Sequence, residues 1–178
     1  MLKYTVSFNQ ELNNWNVSNV TNMNSIFNGA KSFNKNINGW NVSKVKNMSS
    51  MFADAKAFNQ PLGSIDFSGN DVSGGGWNVL EVTKMSYMFT NATSFNQPLN
   101  NWNVSDVSGM ESMFYGAKSF NKPLNDWNVS NVSDINGMFY NAIKFNQPLN
   151  DWNVSNVTNM NGMFQKSGMS SHPLWYIR

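Results

Sequence analysis

Reactive side chains are few in this chain of 178 residues, and they do not converge. A single histidine, His172, stands beside Pro173, and there is no cysteine, which removes thiolate nucleophiles, disulfides and Cys-based metal sites. The carboxylates Glu11, Asp54, Asp106, Glu111, Asp126, Asp134 and Asp151 fall mostly at variable positions of a repeat. No copy sets two acids, or an acid and a base, together for proton transfer. The glycines at 74–76 follow no phosphate-loop pattern. Asp66, Asn70 and Asp71 make a local acidic group without the spacing of a calcium loop. The expectation is therefore a non-enzymatic protein with no catalytic residue, no metal site and no cofactor. What remains is recognition chemistry. Asn16, Asn41, Asn78, Asn103, Asn128 and Asn153 each follow a Trp, with Ser105 and Ser130 two residues after their Asn in two of the copies. Such a row of amides can meet a protein or glycan ligand. It can equally close on itself as a ladder, each amide bonding the next.

The elements that place these residues follow from an internal repeat. Phe-Asn recurs at Phe8, Phe33, Phe58, Phe95, Phe120 and Phe145, with spacings of 25 except for one of 37, and the Trp residues keep the same rhythm. Six copies fill residues 8–169, between an N-terminal cap at 1–7 and a C-terminal cap at 170–178. An insertion at 63–76 accounts for the long spacing and contains the candidate loop residues Asp66, Asn70 and Asp71. In a stacked repeat an insertion becomes a projecting loop, often on a binding face. Columns of apolar residues hardly change between copies: Leu12 with Leu99 and Leu149, Val17 with Val104 and Val154, Phe27 with Phe114 and Phe164. Each copy thus reads as one turn of a solenoid burying these columns against its neighbours. Trp15 and Val17 are two apart, as on a short strand with both facing inward and Asn16 outward. Val20, Met23, Ile26, Phe27 and Ala30 are spaced as on a short helix, with Gly29, Gly116, Asn91 and Asn141 as stops. The Asn after each core Phe, Asn9 through Asn146, is expected to tie adjacent turns. Trp175 arrives two residues early for a seventh copy and reads as a cap.

Composition bounds the setting. A net charge of +2 without a basic cluster is a poor footprint for nucleic acid. No stretch approaches the roughly 20 apolar residues of a membrane span, so membrane insertion is not expected.

The segment Trp102-Asn103-Val104-Ser105-Asp106-Val107 with Met110, Met113-Phe114, Ala117 and Phe120-Asn121 resembles the BspA-like, highly diverged leucine-rich repeats, and most of all their mycoplasma-type surface-lipoprotein form. The resemblance implies an α/β repeat fold: a right-handed leucine-rich-repeat-like solenoid of six to seven turns, with short parallel strands on one concave face and short helices on the other. It also implies a monomeric protein-binding or adhesion module, whose partner is another protein or a glycan on that concave face. The alternative is a structural or particle-packaged repeat protein, such as a virion component, with no discrete ligand. The location would be the cell surface or exterior if a leader is removed, and otherwise intracellular or virion-associated. Two departures stand out: there is no lipid-anchoring Cys, and Leu80 replaces the repeat's Ser.

Overall fold

In a computed structural model, which describes residues 2–63 and 76–176, the chain coils so that each repeat lies over the one before it. Single-residue parallel bridges join Asn22 to Asn47, Asn47 to Lys84, Lys84 to Gly109, Gly109 to Asp134 and Asp134 to Asn159. The register therefore follows the repeat and steps across the 37-residue spacing without a slip.

The expected α/β solenoid is not what forms. Among the described residues there is no helix, and β pairing is confined to those isolated bridges. The reason lies in two left-handed residues per turn. Ser25, Ser50, Tyr87, Ser112, Gly137 and Gly162 all have φ between 51° and 64°, and four residues later Gly29, Asp54, Asn91, Gly116, Asn141 and Lys166 lie between 54° and 73°. A right-handed helix cannot pass through either position. The apolar spacing of three and four instead arises from successive tight turns. Ile26 N–H donates to the Met23 carbonyl and Ala30 N–H to that of Phe27, placing Ser25 and Gly29 where a type II turn needs positive φ. At Gly116 this requirement is doubled, because an added Cβ would run into the Asn91 side chain of the preceding turn.

These turns direct every second amide along the stack. The N–H groups of Met85, Tyr87, Phe89 and Asn91 donate to the carbonyls of Gly109, Glu111, Met113 and Tyr115 at 2.7–3.1 Å, and the same four-bond pattern joins each successive pair of turns. The segment expected to be helical is thus the one that carries the main-chain ladder. The Trp-x-Val segment, expected to be the strand, makes only local turn bonds, such as Val45 N–H to the Val42 carbonyl.

Inside the coil the apolar columns pack as the repeat implies. Phe27, Phe52, Phe89, Phe114, Phe139 and Phe164 stack at 5.5–5.9 Å between ring centroids, beside a second column from Phe8 to Phe145 at 5.9–6.0 Å. The Trp indoles add a polar tie. Trp40, Trp77, Trp102, Trp127 and Trp152 each donate Nε1–H to a Leu or Ile carbonyl of the preceding turn at 2.8–3.2 Å. Trp15, which has no such turn before it, is 49% exposed. At the other end the 25-residue register stops. Leu174, 25 residues after Leu149, is fully exposed, whereas Trp175 stacks on Trp152 at 6.2 Å and donates to the Leu149 carbonyl at 2.8 Å. Trp175 caps the stack by continuing its column.

Candidate functional site

Because Trp and Val of the Trp-Asn-Val segments are drawn into the core in every turn after the first, where Trp15 stays half-exposed, the Asn between them is turned out. Asn16, Asn41, Asn78, Asn103, Asn128 and Asn153 are all exposed. Their side chains are nevertheless not loose. In each, Oδ1 accepts the N–H of the residue two positions on, Ser18, Ser43, Leu80, Ser105, Ser130 or Ser155, at 3.1–3.2 Å. The Ser18 and Ser43 hydroxyls donate to the same oxygens at 2.7 Å. This local turn fixes which way the amide faces. The Nδ2 groups find no protein partner among the described residues, so the row presents one oriented amine per turn, about 4.8 Å apart in a stack of this kind. The self-bonded ladder along this column does not form.

A ladder of that kind forms on the other asparagine column. Asn9, Asn34, Asn59, Asn96 and Asn121 each accept, through Oδ1, the N–H of the next Asn in the series at 2.9–3.0 Å, and Asn146 accepts that of Ser170. The side chains of Gln60, Gln97 and Gln147 donate to the same oxygens. The expected tie between turns is therefore present.

Beside the exposed row, Asn131 and Asn156 donate from Nδ2 to the carbonyls of Ser105 and Ser130 at 2.7 Å. Ser105 and Ser130 are half-buried and anchored through both main-chain groups. The remaining candidates, Asp66, Asn70 and Asp71, lie outside the described residues. The carboxylates are dispersed in ties between turns: Asp126 accepts from Asn100 and Asp151 from Asn125, while Glu11 pairs with Lys35 at 2.9 Å. His172 packs against Phe164 and Tyr176, each at 5.3 Å between ring centroids, as part of the C-terminal cap.

Two surface features were not anticipated from the sequence. Tyr115 and Tyr140 stack at 4.8 Å, with Lys166 Nζ 5.4 Å from the Tyr140 ring centroid. The Tyr140 hydroxyl holds the Lys166 ammonium above its ordinary range. Tyr87 donates its hydroxyl to the Glu111 carboxylate of the next turn, which pushes the phenol up to about 12. The available signal was a pair of tyrosines, Tyr115 and Tyr140, one repeat apart. A groove of about 560 Å³ lies beyond them, lined by Gly162, Phe164, Gln165, Lys166, Ser167, Met169, His172 and Tyr176.

The family described as "Mycoplasma protein of unknown function, DUF285" matches residues 1–73 and again 67–175. The mycoplasma-type repeat resemblance is borne out at that level. No curated protein and no solved structure matches the chain.

Proposed function

Since the chain belongs to the mycoplasma-type repeat family DUF285, whose description assigns no activity, we propose from the geometry that it is a non-enzymatic binding module for a protein or glycan. The contact surface is the row Asn16, Asn41, Asn78, Asn103, Asn128 and Asn153. The single observation that carries this reading is the locked orientation of those amides: Oδ1 is spent on the chain's own N–H, leaving Nδ2 facing solvent in every turn. Oriented donors lose little freedom when they meet an oxygen-rich ligand, so their hydrogen bonds cost less to form. Hydroxyl, carbonyl and carboxylate oxygens all suit them.

The test is a binding array of matrix proteins and glycans, probed with the tagged chain and with a variant carrying Asn103→Asp, Asn128→Asp and Asn153→Asp. Aspartate keeps the Oδ1 acceptor and removes the Nδ2 donor. Saturable binding that disappears in the folded variant is the expected result. Binding that survives the change places the contact elsewhere, and a folded chain that binds nothing favours a purely structural role.

A further inference from the structure

Asn-Gly is the pair in which an asparagine side chain most readily closes on the main chain, and it occurs four times: Asn28-Gly29, Asn38-Gly39, Asn136-Gly137 and Asn161-Gly162. The glycine nitrogen is the nucleophile. It must lose its proton and swing onto the asparagine Cγ, which a residue without Cβ does with least hindrance. An amide already spent in a hydrogen bond is held back from both events, for the same reason that it is slow in hydrogen exchange. The bonds around the four glycines therefore decide where the reaction runs.

Three of the four nitrogens are engaged. Gly29 N–H donates to the Ala53 carbonyl at 2.7 Å and Gly137 N–H to that of Asn161 at 2.9 Å, both from buried positions in the ladder between turns. Gly39 N–H donates to Asn13 Oδ1 at 3.1 Å, and an exposed side chain is the weaker hold. Gly162 differs. The ladder runs from each turn to the carbonyls of the turn that follows, and the turn at 160–166 has no such turn beyond it among the described residues. Gly162 N–H meets no acceptor among them, and the exposed Asn161 side chain makes no hydrogen bond with them. The groove of about 560 Å³ that Gly162 lines brings water to the same place.

We propose that Asn161-Gly162 is a site of spontaneous main-chain modification, and that its reaction opens a second site one repeat inward. Gly162 N, its proton lost to hydroxide, forms a bond to Asn161 Cγ; the Cγ–Nδ2 bond breaks, and the amine takes up a proton and leaves as ammonia. Water then opens the cyclic succinimide at either carbonyl. One product is aspartate at position 161. The other is isoaspartate, in which the chain runs through the side-chain carbon and the original main-chain carbonyl becomes a free carboxylate. That carbonyl is the acceptor of Gly137 N–H. Rerouting the chain there releases Gly137, and Asn136-Gly137 becomes reactive in its turn. The progression stops at the next turn inward, where the corresponding pair is Glu111-Ser112. This chemistry is independent of the exposed asparagine row.

The test holds the full chain in mildly alkaline buffer and follows each Asn-Gly pair with time, by peptide mass spectrometry that separates aspartate from isoaspartate. Asn161 is expected to convert first, about tenfold or more faster than Asn28, with Asn38 between them. Asn136 is expected to follow Asn161 after a lag. Asn161→Gln keeps the main-chain acceptor but closes its ring far more slowly, and should leave Asn136 as slow as Asn28. In urea the four pairs should convert at similar rates, since their reacting atoms are the same. Asn28, Asn38 or Asn136 leading in the folded chain, the folded order persisting in urea, or Gly162 as protected from hydrogen exchange as Gly137 each overturn the proposal. Asn136 converting equally fast with and without Asn161→Gln overturns its second step.

Discussion

Two asparagine columns run the length of this molecule at the same spacing, and they do opposite things. In the series from Asn9 to Asn146 each side chain reaches the main chain of the next turn, so the amide is part of what holds the stack together. In the series from Asn16 to Asn153 each side chain folds back onto its own turn and leaves its amine to solvent. The difference comes from neighbours, since residue type and period are identical. An Asn that follows a core Phe finds the next turn's N–H within reach. An Asn held between an inward Trp and an inward Val finds only the N–H two residues along. Recurrence alone therefore does not separate structural from surface roles in a repeat. The direction of the bond does.

This contrast can be broken at several points. The largest effect is expected for Asn59→Ala, which orphans the half-buried Asn96 N–H and the Gln97 amide together. It should cost about 1–3 kcal/mol, read as a lower urea midpoint. The triple change of Asn103, Asn128 and Asn153 to Asp keeps every local cap but sets three like charges on adjacent turns. We expect a loss of about 1–2 kcal/mol at low ionic strength that shrinks as salt is added. Asn128→Ala removes only an exposed local bond that water can replace, and should cost about 0.5–1 kcal/mol. The smallest effect is a pH dependence at Tyr87, a side-chain tie between turns that is independent of either column. Its phenol ionises near 10 when unfolded and near 12 when bonded to Glu111, so the contribution is complete below pH 10 and lost as pH rises through about 12. Tyr87→Phe should abolish that part of the alkaline decline in stability.

The repeat made much of this legible in advance. Comparing copies within the one chain picked out the buried Leu, Val and Phe columns, the inward Trp and Val with outward Asn, and the tie through Asn9 to Asn146. It failed where one pattern has two physical origins. Met23, Ile26, Phe27 and Ala30 satisfy helical spacing, yet chained tight turns produce the same intervals. The signal that decides between them was present in the column Gly29, Asp54, Asn91, Gly116, Asn141, a set of residues whose shared property is tolerance of positive φ. Reading Gly29, Asn91, Gly116 and Asn141 as helix stops hid the place of this column in every turn. Ser25, Ser50 and Tyr87 gave less warning, because only the glycines at 137 and 162 betray that column. Trp175, read as a cap from its early arrival, does cover the end of the stack: it packs on Trp152 and leaves Leu174 exposed.

Amide hydrogen exchange on the unmodified chain tests the division between the two columns most directly. Amides that bond across turns should open only with the stack, whereas local caps open by small fluctuations. The account predicts slow exchange for the N–H groups of Asn59, Asn96, Asn121 and Asn146, comparable with Phe89 and Phe114 in the main-chain ladder, and fast exchange for those of Ser43, Ser105, Ser130 and Ser155. Equal protection of Ser105, Ser130 and Asn121 would contradict it, because the exposed row would then be as much a part of the scaffold as its counterpart.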